Sequence, residues 1–476
     1  MKLGFSDITS IVRNYPFLLL SLFAFWIWQL SFFQGPSFVL AKPSVLPDYF
    51  PAIASLLFTM GLTYLVSSLQ WKCVSALYGK NGFNFGMMLA LVFGTALAAI
   101  SPLEQIDSLI GQITCYLTGS ILMGIGAALF NMQLAFGIAR VPSRLIPYIS
   151  VISIIGSSIA LAAIMQIPKS IQTVILTVLP VIFILFFKQA QNKIAPKHFY
   201  GLGSTPFPKH PKRYYATAFM HGISMGMLFA LLSIHPAGLP TFVLQPISFL
   251  MGAVLIALFV YKMRMDYNGL LYKVGIPLIA FGLLMSTLLP DAAFVGNAIY
   301  LAGYCFIYVI MVCLNIHFVV RLGFSPVYIV GFSTLFITLG EACGLATEVL
   351  CMTAPHQELV ALLFGCGIAF ALPVAALYCL DEKNMLSGWG SVKIDDSESG
   401  YSRKRAQRLV AAEYGLSARE TEVFELVTRG NTRKGIARTL HLSEDTVKTY
   451  MRSLYAKLGV HSKQEVLDLL EDKTQE

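Results

Sequence analysis

Runs of about twenty mainly apolar residues recur twelve times along this chain. They lie at 16–35, 51–71, 86–102, 110–138, 146–166, 171–188, 215–235, 240–262, 273–290, 294–320, 327–350 and 358–380. At about 1.5 Å per residue, most of these lengths match about 30 Å of hydrocarbon. No feature restricts the fold more. Inside lipid a backbone must satisfy its own hydrogen bonds, so each run is expected to be a spanning helix. Composition agrees. Charged residues make up 12% of the 476, about half the share of a soluble domain. An ordinary cytosolic enzyme, a disordered chain, collagen and a small disulfide scaffold are all excluded. The first run is no cleavable leader: it is long, contains Trp26 and Trp28, and lacks a small-x-small site.

The charges are unevenly placed. Residues 1–383 hold 19 Lys+Arg and 11 Asp+Glu, whereas residues 384–476 hold 15 and 14. A domain boundary is expected there, and the net +9 belongs almost wholly to the apolar part. With the N-terminus inside, the inner segments carry sixteen cations: Lys2, Arg13, Lys72, Lys80, Arg140, Arg144, Lys188, Lys193, Lys197, Lys209, Lys212, Arg213, Lys262, Arg264, Lys273 and Arg321. The outer loops carry only Lys42 and Lys169. By the positive-inside rule this sets both termini in the cytoplasm of a multi-pass protein of the cytoplasmic (inner) membrane. The eight cysteines form no Cys-x-x-Cys pair and read as buried thiols, so no metal, disulfide or cofactor is expected.

The basic connection 189–214 divides the twelve runs six and six. This pattern resembles the major facilitator architecture over about 380 residues, a resemblance of topology that implies two six-helix halves. That family's loop signature, Gly-x-x-x-Asp-Arg-x-Gly-Arg-Arg between the second and third spans, is not met from Gln70 to Lys80. The signature charges lock and release the inner gate of transporters, so their absence favours a sensor on a transporter scaffold.

Polar side chains inside apolar runs need a partner or a cavity. Glu341 and Glu348 lie seven apart in the eleventh run, His221 in the seventh, Asn315 and His317 in the tenth, Asn131 and Gln133 in the fourth, and Gln29 in the first. A ligand pocket of Glu341, His221, Asn315, His317, Asn131 and Gln29 is expected, with Glu341 as its charge. The alternative for the amides is plain hydrogen bonding between helices. Gly222 with Gly226, and Gly340 with Gly344, are Gly-x-x-x-Gly pairs that permit close helix approach within the bundle.

The expected domains are a membrane unit over 1–383, a polar linker with a short helix over 384–412, and a four-helix unit over 413–476. In the last, Ser417 with Glu420 forms a capping box, Thr432 or Asn431 caps a second helix, Ser443 a third and Ser462 a fourth. Gly430 and Gly459 end helices. The second and third helices have helix-turn-helix spacing. Between residues 428 and 464 eight Lys+Arg face only Glu444 and Asp445, a local patch suited to phosphate.

The runs Leu416-Ser417-x-Arg419-Glu420-x-Glu422-Val423, Ile436-Ala437, Leu442-Ser443-Glu444-x-Thr446-Val447-Lys448-Thr449, Tyr455-x-Lys457-Leu458-Gly459-Val460 and Ser462-x-x-Glu465 resemble the LuxR-type DNA-binding domain along its whole length. Gly435 and Tyr450 depart from it, where the family usually has Glu and commonly has His. The resemblance implies that Lys448, Thr449 and Arg452 read base edges. It also implies that Arg433, Lys434, Thr446, Tyr455 and Lys457 contact phosphate.

The expected fold is therefore all-α: a twelve-helix transmembrane bundle and a C-terminal helix-turn-helix domain. The expected protein is a membrane-embedded transcription regulator that senses a small molecule and binds double-stranded promoter DNA as a dimer. The alternative is a secondary transporter of the major facilitator type with a regulatory DNA-binding tail. No nucleophile elbow, metal motif, phosphate loop or dinucleotide fingerprint is present, so no enzyme is expected.

Overall fold

The structure is a computed structural model. It describes residues 5–32, 46–100, 109–142, 145–194, 212–234, 241–262, 267, 269–322, 324–379, 407, 410–411, 413–428, 431–440 and 442–475. The described residues are helical, with no strand among them. The chain forms two compact units, Met1–Ile394 and Asp395–Glu476.

In the first unit a helix coincides with every apolar run: α1 (Pro16–Phe32), α2 (Leu46–Leu69), α3 (Asn81–Ile100), α4 (Leu109–Ile138), α5 (Ile146–Ile164), α6 (Lys169–Lys193), α7 (Lys212–Ile234), α8 (Thr241–Ile256), α9 (Ile276–Leu288), α10 (Ala293–Leu322), α11 (Pro326–Thr353) and α12 (Gln357–Cys379). Among the described residues eight helices are long and apolar enough to cross a membrane. A ninth is added if α2 and the short helix Trp71–Leu77, bent from it by 100°, count together.

The pairing of these helices shows an internal repeat. In the first half α1 packs on α5 and α6, α2 on α4, and α3 on α4 and α6. Adding six to every label gives the second half: α7 packs on α11 and α12, α8 on α10, and α9 on α10 and α12. The halves meet through two equivalent pairs, α2 with α11 and α8 with α5. Burial follows the same order. Of the Ala293–Val320 stretch of α10, 83% is buried, against 28% for the apolar stretches of α3 and α12, so α10 is central and the other two are peripheral.

Small residues set the closest crossings, because only a missing side chain lets two backbones touch. On α7, a Cβ at Gly222 would lie 2.0 Å from the Ile337 carbonyl oxygen, and one at Gly226 would lie 2.5 Å from Gly344. On α11, a Cβ at Gly340 would lie 2.2 Å from the Phe219 carbonyl oxygen. The two Gly-x-x-x-Gly pairs thus face each other inside the bundle. The cysteines divide: Cys305, Cys313 and Cys351 are buried, while Cys73 and Cys343 are exposed, so the expectation of buried thiols fails at those two.

The second unit contains α13 (Ala418–Thr428), α14 (Arg433–Leu440), α15 (Glu444–Leu458) and α16 (Lys463–Gln475). Its core joins Val423, Phe424, Val427, Ile436, Val447, Leu454, Leu458, Val466 and Leu470. Val410 is also in that core, and the Gln407 amide bonds the Thr428 hydroxyl. These residues, expected in the linker, belong to the folded unit, because Val410 supplies apolar surface that α13 needs covered. Residues 384–400 lie outside the described residues.

Gly435 sits in the first turn of α14, where its N–H donates to the Thr432 hydroxyl at 3.2 Å. The helix is therefore capped before the glycine weakens it. A Cβ here would meet only ordinary contacts, the nearest 3.4 Å away. Gly435→Ala should stabilise the domain by about 0.5–1 kcal/mol, through lost freedom of the unfolded chain. Urea unfolding of the fragment 395–476 measures it; a midpoint at or below that of the parent contradicts the fit.

Candidate nucleic-acid interface and the polar centre of the bundle

The DNA-facing candidates are positioned by caps at the helix starts. The Ser443 hydroxyl accepts from the Thr446 N–H at 3.0 Å and starts α15, and Gly459 ends it with φ 68°. Between these points Val447, Leu454 and Leu458 face inward. That phase turns Lys448, Thr449 and Arg452 outward, all three exposed. The Thr449 hydroxyl donates to the Asp445 carbonyl at 3.0 Å within its own helix, which helps fix its side chain. Arg433 and Lys434, both exposed, open α14. Thr446 lies at the positive N-terminal end of α15. Tyr455 is half-buried against the core.

Lys457 also has partners within the domain. Its ammonium lies 2.7 Å from Glu420 Oε2 and 3.1 Å from the Gly415 carbonyl. Glu420 is only 5% exposed and also accepts from the Ser453 hydroxyl at 2.6 Å and the Ser417 N–H at 2.7 Å. A sequestered carboxylate needs a cation, and Lys457 is that cation. It holds the start of α13 to α15, while its side chain stays partly exposed. The capping box read from Ser417 and Glu420 is the other half of the same node.

Lys457, Ser453 and the Ser417 amide hold the Glu420 carboxyl down to about 2, below the usual carboxylate range. The stability it contributes is complete above the unfolded-chain value, near pH 4.3, and is lost as pH falls toward 2. Glu420→Gln should cost about 1–3 kcal/mol at neutral pH and flatten the decline in acid. Urea melts of the fragment 395–476 across that range test this; equal acid slopes in parent and variant contradict it.

In the bundle, an open cleft lies between α1, α4, α5, α10 and α11. Phe25, Trp26, Asn131, Tyr308, Asn315 and Thr334 are among its walls, and among the described residues no charged side chain lines it. Beside it runs a hydrogen-bonded polar cluster. Asn131 donates to the Tyr64 hydroxyl at 3.0 Å, and the Tyr308 hydroxyl lies within reach of Gln29 and Asn131. The Tyr304 hydroxyl donates to Glu341 Oε1 at 3.1 Å. His221 stacks on the Tyr304 ring, centroids 4.1 Å apart.

Five of the six expected pocket residues are thus in or beside this region: Gln29, Asn131, His221, Glu341 and Asn315. The last accepts from the Tyr214 hydroxyl at 2.8 Å. His317 is not. It packs near Tyr267 and against Phe318, because the turn of α10 points it away from the cleft. Gln133 instead ties α4 to α3, donating to Asn84 at 2.8 Å. The Glu348 side chain lies outside the described residues. Sequence reasoning missed Tyr300, Tyr304 and Tyr308. Their i, i+4, i+8 spacing, which puts three hydroxyls on one face of an apolar helix, was the available signal.

The architecture defines a class: a helical bundle with a major-facilitator-like fold, in one chain with a helix-turn-helix domain. The bundle is similar to a bacterial homologue of the iron transporter ferroportin in an outward-facing state, with TM-score 0.53 and 10% identity over 77% of this chain and 99% of that one. It is also similar to an auto-inhibited POT family peptide transporter, with TM-score 0.50 and 13% identity over 81% and 99%. At such identities the likeness is one of fold.

Residues 415–470 match the family described as bacterial regulatory proteins, luxR family. Over 56 residues the chain is 45% identical to the spore germination protein GerE of Bacillus subtilis (strain 168), covering 12% of this chain and 76% of that one. Over 53 residues it is 45% identical to a putative transcriptional regulator of Pseudomonas aeruginosa, covering 11% and 26%. An uncharacterized response regulatory protein, YgeK of Escherichia coli (strain K12), is 45% identical over 47 residues, with 10% and 32% covered. The chain thus spans about a third or less of two of these relatives. Through its C-terminal domain the chain belongs to the LuxR family of bacterial regulatory proteins.

Proposed function

We propose that the protein is a transcription regulator embedded in the cytoplasmic membrane. Its bundle crosses the bilayer twelve times, with both termini in the cytoplasm, and senses a small molecule. Its C-terminal domain binds promoter DNA as a dimer. The observation that carries this reading is the exposed strip of Lys448, Thr449 and Arg452 on a complete LuxR-type domain, in one chain with a bundle that holds a cleft. Phosphate is contacted by Arg433, Lys434 and the α15 N-terminus, and bases by the strip. The ligand sits in the cleft among Asn131, Asn315 and Trp26. The bundle performs no enzymatic step. The segment Gln70–Lys80 lacks the gate charges of transporters, which supports sensing over transport.

Genome-wide crosslinking of the intact protein to DNA tests the regulator reading. One or a few sharply enriched promoters are expected, lost in an Arg452→Ala variant. A reporter gene driven by such a promoter should change its response when Asn131 is replaced by Leu. No enriched promoter, or substrate uptake by the protein in proteoliposomes, would overturn the reading. A reporter fused after Lys383 should lie inside, and one near Pro168 outside.

A further inference from the structure

Glu341 is a half-buried carboxylate at the crossing of α7 and α11, and among the described residues it accepts from a neutral partner, the Tyr304 hydroxyl. Among the described residues no cation pairs with it. Next to it, His221 is 3% exposed, and among the described residues neither ring nitrogen has a hydrogen-bond partner. A buried imidazole that leaves both nitrogens unpaired is costly, since each unmade bond forfeits its lost hydration. The two groups touch the same residue: His221 lies flat on the Tyr304 ring whose hydroxyl bonds Glu341. One helical turn along α10, Tyr308 is in the wall of the cleft, facing Trp26 with ring centroids 5.4 Å apart.

The inventory of unmet groups selects a chemistry. The site offers a carboxylate, an unprotonated ring nitrogen and aromatic faces, all of which attract a cation with N–H donors. An anion would be repelled by Glu341, and an uncharged ligand would leave that carboxylate without a counter-charge in a medium where this is expensive. Resting on the reading of the bundle as a small-molecule sensor, we infer that its ligand is a protonated primary amine with a small aromatic body. The body lies in the cleft against Phe25 and Trp26. The ammonium reaches past Tyr308 and donates to Glu341 and to one nitrogen of His221. The other His221 nitrogen, as N–H, donates to an oxygen on the ligand.

Three probes of one scaffold separate the possibilities: 2-amino-1-phenylethanol, uncharged 1-phenylethane-1,2-diol and anionic mandelate. Binding to the purified full-length protein in detergent micelles is read from tryptophan fluorescence and thermal unfolding. The amine should bind roughly tenfold or more tightly than the diol, and mandelate more weakly than both. Glu341→Gln should bring amine and diol to about equal affinity. Tyr304→Phe, which keeps the ring under His221, should reduce the preference while the protein stays monodisperse, and it serves if Glu341→Gln does not fold. A diol that binds as well as the amine, a preference unchanged in both variants, or no binding by any probe overturns the amine assignment. The sensing reading fails separately, through a promoter reporter indifferent to Asn131→Leu.

Discussion

Gly226→Leu is expected to abolish the folded bundle. At this position α7 and α11 are in backbone contact, and even a Cβ would lie 2.5 Å from Gly344 and 2.6 Å from the Glu341 carbonyl oxygen. No rotamer relieves a clash with main chain, so the helices must separate. The separation opens a gap along one of the longest packed seams in the molecule. A cost of about 3 kcal/mol or more follows, near the top of the range for single substitutions. Fluorescence-detected size exclusion of the solubilised protein should show aggregation or loss of the monodisperse peak. Gly367→Leu on α12 is the control, because a Cβ there meets nothing within 4 Å. If the two variants behave alike, the close crossing is not what the glycines are for.

Arg452→Ala and Lys448→Ala are each expected to weaken specific DNA binding by about 1–3 kcal/mol and to relax base preference. Both side chains are exposed on the outward strip of α15, so truncation leaves no cavity and the domain stays folded. Arg433→Ala, at the start of α14, should weaken binding alike on all sequences and lower the salt slope by about one. Binding isotherms on a specific and a scrambled duplex at several salt concentrations separate these outcomes. Should Arg452→Ala lose affinity equally on both duplexes, it is a phosphate contact. Lys457→Ala should show a further effect. It removes the counter-charge of Glu420, so its main effect should be on unfolding.

Much of this architecture was legible because the signals are local. A run such as 294–320 is apolar all round, and in a membrane that alone selects a helix. Ser417 with Glu420 and Ser443 before Val447 announce helix starts through groups three residues apart, and the observed caps are those. The phase that buries Val447 and Leu454 also exposes Lys448 and Arg452, so the outward face of α15 followed from spacing, whereas the base-reading role came from the resemblance.

The bundle's interior was less legible. Polar residues in the spans could be named as candidates, but their grouping depends on which helices cross and at what height. His317 and Asn315 are two residues apart on α10, yet only Asn315 reaches the cleft. Tyr304 carried no sequence mark beyond its spacing, and it joins His221 to Glu341.

By itself the sequence determined the helices, the two units, the six-and-six division and the outward strip of the DNA-binding domain. Each of these follows from periodicity, caps and charge within a few residues of chain. Only the tertiary structure decided that Lys457 serves Glu420 across 37 residues, that Gly226 meets Gly344, and that among the described residues His221 has no hydrogen-bond partner while it stacks on the tyrosine that bonds Glu341. Those outcomes depend on distances between atoms far apart in the chain, set by how whole helices pack, and no local pattern encodes such a distance.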